Sequence, residues 1–208
     1  MATIKNYKQP QSSFLSVDKD MALIVDAFLQ NNRLKKLLYY QDDNPMGHDI
    51  LTEEQSLELI ENNSIQIVPK LIVDADVKTY IIISFDNFTP NVSNPQFRDN
   101  TISFDIICHF DQWKMINNQL RPYKIAAEID TMFNNKHLTG IGTLQFMGCN
   151  QIIINDEFGG LTILYSAIHG GEDKNFNKDG RDLLSPEDEA QYEADFKDLY
   201  NSKEWTID

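Results

Sequence analysis

The stretch that decides the fold is residues 101–110, Thr-Ile-Ser-Phe-Asp-Ile-Ile-Cys-His-Phe. Every second residue from Ile102 to Phe110 is apolar, and the residues between them are mixed. Because successive side chains of a strand point to opposite faces, this alternation predicts a β-strand with one face in the core. Upstream, Tyr80–Phe88 is rich in Ile, Tyr and Phe, which predicts a second strand covered on both faces or nearly so.

Downstream of the alternating strand, the sequence predicts a helix and then a hairpin. Pro122 suits the first turn of a helix over Arg121–Asn134, which carries an apolar stripe ending at Phe133. Two further strands are predicted at Thr143–Asn155 and Leu161–Ile168. We expect the turn at 156–160, Asp-Glu-Phe-Gly-Gly, to use its glycines for positive φ angles.

The N-terminal third of the chain is predicted to be mainly helical. Apolar residues recur at helical spacing from Ser16 to Gln30, and Asn31–Asn32 interrupts a pattern that then continues. Thr52 and Gln55 form a capping box for a short further helix. The remaining segments are 65–73, which is β-rich but broken by Pro69 and so expected at a sheet edge or bend, and 87–100, expected as a long loop.

These elements predict an α+β fold in which amphipathic helices pack on a mixed, mostly antiparallel sheet. We expect a flexible arm, or a strand that orders only against a partner, at 1–15, a folded domain at 16–170, and an acidic extension with a short helix at 171–208. The extension holds twelve acidic and five basic residues. It therefore contributes half of the chain's net charge of −14. The chain therefore lacks the basic patch that tight binding to a nucleic-acid backbone requires.

Cysteine usage and hydropathy set the expected surroundings. Cys108 and Cys149 lie in strand-like runs and have no partner at metal-ligand spacing, which predicts two buried, reduced thiols. Neither a signal-peptide core nor an apolar run of membrane-spanning length is present in the sequence. We expect a protein of an aqueous, reducing compartment that has no membrane contact.

No residue pattern assembles a catalytic site. The four histidines fall on different elements, and the phosphate-binding and nucleophile-elbow motifs are absent from the sequence. Asp74, Asp76 and Asp86 have the loose spacing of solvated strand ends, although a metal-dependent nuclease would use such acids. Residues 175–187 copy half of a calcium loop, with Pro186 at the twelfth position, where the bidentate glutamate belongs. These observations favour a protein that binds other proteins, with no catalytic residue, cofactor or metal.

The order strand, loop, strand, helix and hairpin over 80–169 resembles the core of the tail terminator, or tail completion, proteins of long-tailed bacteriophages. The resemblance rests on Thr101–Phe110, Arg121–Asn134 and the closing strand pair, with an amphipathic helix near the N-terminus, and it covers about 16–170. The extension 171–208 and the longer helical region at 33–63 depart from the compact members of that family.

This resemblance implies a homo-oligomeric ring, usually a hexamer, at the head–tail junction of a virion assembled in the host cytoplasm. Such a ring ends the tail tube, joins it to the head connector or stopper protein, and lets DNA pass an acidic lumen without specific binding. The residues expected to contact partners lie after the alternating strand, at the hairpin tip and on the terminal helix, where a narrow apolar stripe needs a covering surface. They are Trp113, Asp156, Glu157, Phe158, Tyr192, Phe196, Leu199 and Tyr200.

Three other functions remain open from the sequence. One is a different neck protein, such as a head-completion adaptor or stopper, which would bind the connector alone. Another is a small metal-dependent phage enzyme that uses Asp74, Asp76 and Asp86. The third is an acidic, DNA-mimicking inhibitor directed at the host. For Trp113, the sequence allows either a lid on the core or an exposed anchor.

Overall fold

The computed structural model of the chain describes residues 17–62, 64–67, 78–92, 98–138 and 142–169. Within these ranges the fold is α+β, as predicted. The four α-helices are α1 (Val17–Gln30), α2 (Asn32–Tyr39), α3 (Glu53–Glu61) and α4 (Arg121–Phe133). The strands are β1 (Ile65–Gln66), β2 (Thr79–Pro90), β3 (Arg98–His109), β4 (His137–Leu138), β5 (Gly142–Thr143), β6 (Gln145–Ile153) and β7 (Phe158–His169).

Five of the strands form one sheet in the order β1-β2-β3-β7-β6. Adjacent strands in this sheet pair antiparallel, except that β1 runs parallel to β2. The sheet is therefore mixed and mostly antiparallel, as the sequence predicted, and the described part of the β-rich segment 65–73 lies at its edge. β4 and β5 form a separate two-stranded sheet.

The alternating strand lies at the centre of the sheet and of the core. Ile102, Phe104, Ile106 and Cys108 are all fully buried on the face that the helices cover. The ring of Phe104 stacks on that of Phe133 of α4 with centroids 5.4 Å apart. The predicted one-sided core strand is confirmed.

The first half of β2 is buried on both faces, which confirms a second sequence prediction. Ile81 and Ile83 face the helices, whereas Tyr80 and Ile82 join Ile107 in a smaller apolar cluster on the opposite face.

The helix boundaries follow local capping chemistry. The Asn31 side chain accepts hydrogen bonds from the backbone N–H groups of Arg33 and Leu34, so the same residue ends α1 and begins α2. Thr52 and Gln55 form the predicted capping box at the start of α3.

The predicted long loop at 87–100 is wrong. β2 continues through Pro90 and β3 begins at Arg98, so the connection between them is 91–97. Asparagine and proline suggested a loop, but the pairing tolerates them through a register shift between Asp86 and Thr89, where Asn87 adopts a φ of 56°.

The predicted role of the hairpin glycines is also wrong. The turn is held by the Asn155 side chain, which accepts from the backbone N–H groups of Glu157 and Phe158. Gly159 and Gly160 lie inside β7, and neither has a positive φ. They are required by close approach, because a Cβ on Gly160 would lie 1.7 Å from the carbonyl oxygen of Ile106.

The predicted strand at 143–155 is divided. Leu144, which is fully buried, separates β5 from β6, and β6 ends at Ile153. The predicted N-terminal arm at 1–15 and the acidic extension at 171–208 lie outside the described residues.

Candidate interaction surface

Strand β6 forms an exposed edge of the five-stranded sheet. Its sequence, Gln-Phe-Met-Gly-Cys-Asn-Gln-Ile-Ile, contains no charged residue and no proline. Phe146, Met147 and Ile153 are exposed, and Ile153 retains 73% of its surface. Edge strands of soluble proteins are normally protected by charge, proline or a covering element, so this edge is suited to pairing with another chain.

The hydrogen-bonding pattern shows which backbone groups of β6 point away from the sheet. The N–H of Ile154 donates to the carbonyl of Phe158 at 3.0 Å, which makes these two residues a hydrogen-bonded pair. Since such pairs alternate along an antiparallel ladder, Cys149, Gln151 and Ile153 direct their backbone N–H and C=O groups outward. A register shift between Phe146 and Gly148 limits the regular edge to 148–153.

A groove of about 300 Å³ runs between α4 and this edge. Its walls are mainly apolar, and Asp130 is the one carboxylate among its lining residues. The lining residues are Tyr123, Ala126, Ala127, Asp130, Asn134, Phe146, Cys149 and Ile163.

Asp130 is held in place by a buried tyrosine. The hydroxyl of Tyr165, which is fully buried, donates to Oδ1 of Asp130 at 2.8 Å. Burial and the neighbouring Asp130 raise the pKa of Tyr165 well above its ordinary range, so the hydroxyl remains a donor at physiological pH. The groove thus combines a fixed negative charge with apolar walls.

The residues predicted to contact partners are in different environments. Trp113 is a partly buried lid, because its Nε1 donates to the carbonyl of Cys108 at 3.2 Å and its ring contacts that of Phe110. Asp156 and Glu157 are exposed in the turn at the end of β6. Phe158 is only 6% exposed and packs on Tyr80, so its prediction as a free contact residue is wrong. Tyr192, Phe196, Leu199 and Tyr200 lie outside the described residues.

The two cysteines differ, which corrects the prediction of two buried thiols. Cys108 is fully buried on β3, and burial raises its pKa to about 12. Cys149 is exposed on β6. Alternation along a strand predicts that a residue is buried only where another element covers that face of the strand. Partial desolvation beside the groove still raises the pKa of Cys149.

This difference predicts the result of a thiol titration. At pH 8, a disulfide reagent should modify one cysteine of the native, unassembled protein rapidly and both cysteines of the unfolded protein, because Cys108 is shielded and protonated. Mass spectrometry of the labelled peptides should assign the fast site to Cys149, and Cys149→Ser should remove it. Equal rates at both sites in the native protein would contradict the burial of Cys108.

Arg121 is a buried cation that the sequence reasoning missed. It is fully buried, and its guanidinium donates to the backbone carbonyls of Gln112, Leu37, Tyr40 and Asp42. It therefore joins the start of α4 to the end of α2, whose last carbonyls lack partners within the helix. The sequence feature that could have indicated its role is its position directly before Pro122, at the start of a helix.

Beside Arg121 lies an exposed hydrogen bond between a histidine and an aspartate side chain. Nε2 of His48 is 2.5 Å from Oδ2 of Asp42, and the His48 ring stacks on Tyr40. Burial acts to raise the pKa of Asp42, but hydrogen bonds from the Asn44 backbone and His48 outweigh it and lower that pKa.

The described residues contain no cluster of three or more side chains that could hold a metal ion. Asp86 is exposed on β2, and the Ser103 hydroxyl approaches its carboxylate at 3.5 Å. Asp74, Asp76 and the half calcium loop at 175–187 lie outside the described ranges. Within those ranges, no helix is both long and apolar enough to span a membrane.

Comparison with known proteins yields one family. The family model described as YomW matches residues 31–167, which include α2, all of the five-stranded sheet except the last two residues of β7, and the groove between α4 and β6. No curated protein matches the chain significantly. Because the match spans well over half of the sequence, the chain belongs to the YomW family.

Proposed function

We propose that this protein is a structural virion protein that forms a ring, with six subunits expected, at the head–tail junction of a long-tailed phage. The ring ends the tail tube and joins it to the head connector. The observation that supports this most directly is the uncharged, exposed edge of β6 beside an apolar groove. Such a surface is suited to permanent coverage by a neighbouring subunit.

The sheet has two different edges, which fits a ring better than a two-fold dimer. β1 is a two-residue strand paired in parallel, whereas β6 is a nine-residue antiparallel strand. A head-to-tail interface joins two different surfaces of the same subunit and closes into a ring when the rotation permits. Closure would leave no β6 edge exposed.

The charge distribution supports passage of DNA without adhesion. The chain carries a net charge of −14, and the face of the sheet opposite the helices bears Asp86, Asp99 and Asp105. Asp105 accepts a hydrogen bond from Thr162 at 2.5 Å, which fixes its position on that face. An acidic wall repels the DNA backbone, so a lumen lined in this way holds no tight site for it.

The proposal predicts that a charge placed on the edge prevents assembly. Ile153→Lys should lower the ring population at least tenfold, because burying an unpaired ammonium in an interface costs several kcal/mol. Ile50→Lys is the matched control, since Ile50 is 62% exposed and lies outside the strands, in the segment before α3. Native mass spectrometry and negative-stain imaging, with and without tail tubes of the encoding phage, measure the outcome.

Two results would overturn the proposal. One is a wild-type protein that stays monomeric and does not bind tail tubes. The other is a protein that binds the head connector but never the tube, which identifies an adaptor or stopper. If Ile50→Lys disrupts rings as strongly as Ile153→Lys, the β6 edge is not the interface.

A further inference from the structure

We infer that residues 2–9 of one subunit add as a strand to the β6 edge of the next subunit, with Lys5 and Tyr7 entering the groove beside Asp130. The inference rests on the proposed ring and names the segment that covers its interface. The uncharged edge thereby has a specific occupant, which is a segment of a neighbouring copy of the same chain.

The edge is prepared for an added strand over 148–153. Cys149, Gln151 and Ile153 direct their backbone groups away from β7, so a second chain can continue the ladder there. Every second side chain of an added strand would lie on the helix-covered side of the sheet, above the groove. Backbone pairing would therefore supply affinity, and the groove would supply selectivity.

Charge selects the N-terminal arm among the stretches outside the described ranges. Residues 1–16 contain two lysines, Lys5 and Lys8, and no acidic residue, whereas the rest of the chain is strongly acidic. The stretch 68–77 has one lysine and two aspartates, and 170–208 has a net charge of −7. The groove carries Asp130, and Asp156 and Glu157 follow the end of β6. A basic strand complements these acids.

The spacing of residues within the arm fits the groove. In a strand, Lys5 and Tyr7 share one face about 6.6 Å apart, so an ammonium near Asp130 places an aromatic ring beside the apolar walls. Ile4 and Lys8, on the other face, lie about 13 Å apart, which is too far for a compact groove. Pro10 has no backbone N–H and ends the pairing.

The length of the arm permits exchange between subunits. The six residues 11–16 between Pro10 and the start of α1 span at most about 20–22 Å when extended. A linker of this length would allow the arm to reach a neighbouring subunit packed beside its own. The arm thus matches the edge in backbone capacity, charge, side-chain spacing and reach.

A disulfide-trapping experiment on two kinds of full-length subunit tests the inference. The first, the arm probe, carries Tyr7→Cys and Cys149→Ser together with an affinity tag, and the second, the edge probe, is the wild-type chain with Cys149. After co-assembly and mild oxidation, an adduct between the two probes should form at least tenfold above the background of edge-probe dimers, because only an exchanged arm brings position 7 to Cys149. A third chain with Tyr7→Cys and the native Cys149 reports an arm that folds onto its own edge.

Variants of the edge and the arm make the test specific. In the edge probe, Gln151→Pro removes an outward N–H without removing a β6–β7 hydrogen bond, and should lower the yield of the mixed adduct about tenfold relative to Gln151→Ala. Lys5→Glu in the arm probe should lower the yield of the mixed adduct about threefold to tenfold, and Asp130→Asn in the edge probe should have an effect of the same size. Asp130→Asn keeps an oxygen acceptor for the Tyr165 hydroxyl, so we expect the variant to retain the native fold.

The outcomes separate this inference from the proposed function. Rings without a mixed adduct, or a third chain that cross-links only internally, overturn the arm exchange and leave the ring standing. A mixed adduct in a dimer or filament that never caps tail tubes supports the arm exchange and overturns the ring. Adduct yields unchanged by Gln151→Pro exclude strand addition at this edge.

Discussion

Gly160→Ala should destabilise the fold by at least ~3 kcal/mol, and the variant is expected to be largely insoluble. Gly160 lies in β7 opposite Ile107 of the central strand. An added Cβ would lie 1.7 Å from the carbonyl oxygen of Ile106, a distance no rotamer change can relieve because both atoms are fixed by the backbone. Relief requires the two central strands to separate, which breaks their ladder and opens the core behind it.

Gly148→Ala is the matched control, because it makes the same chemical change in the neighbouring strand. A Cβ at Gly148 has no heavy atom within 4 Å, and its φ is not positive. We expect it to leave the free energy of unfolding unchanged or to raise it by up to ~1 kcal/mol, through a less flexible unfolded chain. Urea unfolding followed by far-UV circular dichroism measures both variants. A loss below about 1 kcal/mol for Gly160→Ala would contradict the close approach of β3 and β7.

Arg121→Met should lower the free energy of unfolding by ~3–5 kcal/mol. The substitution keeps an unbranched chain of similar length but removes every donor that reaches the carbonyls of Gln112, Leu37, Tyr40 and Asp42. The hydrogen bonds to Gln112 and Leu37 are buried, so these two carbonyls would lose their donor without gaining solvent. The end of α2 would then separate from the start of α4.

Two companion variants separate charge from geometry. Arg121→Lys keeps the positive charge but lacks the planar fork, and should recover less than half of the loss. Arg33→Met removes an arginine that is 68% exposed and paired with Glu128 at 3.0 Å, and should cost under ~1 kcal/mol. If both methionine variants have the same small effect in a guanidinium titration, Arg121 is not the link between the two helices.

The elements that the sequence predicted well are those in which one residue pattern has one structural solution. The apolar residues of β3 are buried because, in a strand, every second side chain lies on the same face of the sheet. These residues are Ile102, Phe104, Ile106 and Cys108. Thr52 and Gln55 cap α3 because both partners of a capping box are local in sequence.

The errors arose where a residue type has two possible reasons to be present. Gly159 and Gly160 suggested a turn because glycine permits positive φ, but they are needed because β3 approaches β7 closely, a contact between segments far apart in the sequence. Asn87 and Pro90 suggested a loop, and the structure places both in a strand. Local patterns do not reveal which distant backbone lies nearby.

The candidate interaction surface could not be predicted from the sequence for a related reason. The sequence of β6 shows that it forms a strand, but only the strand order of the sheet shows that β6 has one neighbour among the described strands. Cys149 was therefore predicted to be buried, although it lies at the open edge. The hydrogen bond between Asp130 and Tyr165 depends on how α4 crosses β7, which the sequence does not reveal.

The absence of charge on β6 also bears on how free subunits behave in solution. Two adhesive edges would associate at every favourable encounter, yet each subunit carries a net charge of −14, and like-charged molecules repel one another within the screening length of about 8 Å at physiological ionic strength. Charge on the rest of the molecule thus slows random encounters, while the edge itself remains unprotected. In the proposed ring protein, colloidal stability and the capacity to assemble would therefore lie on different parts of the chain.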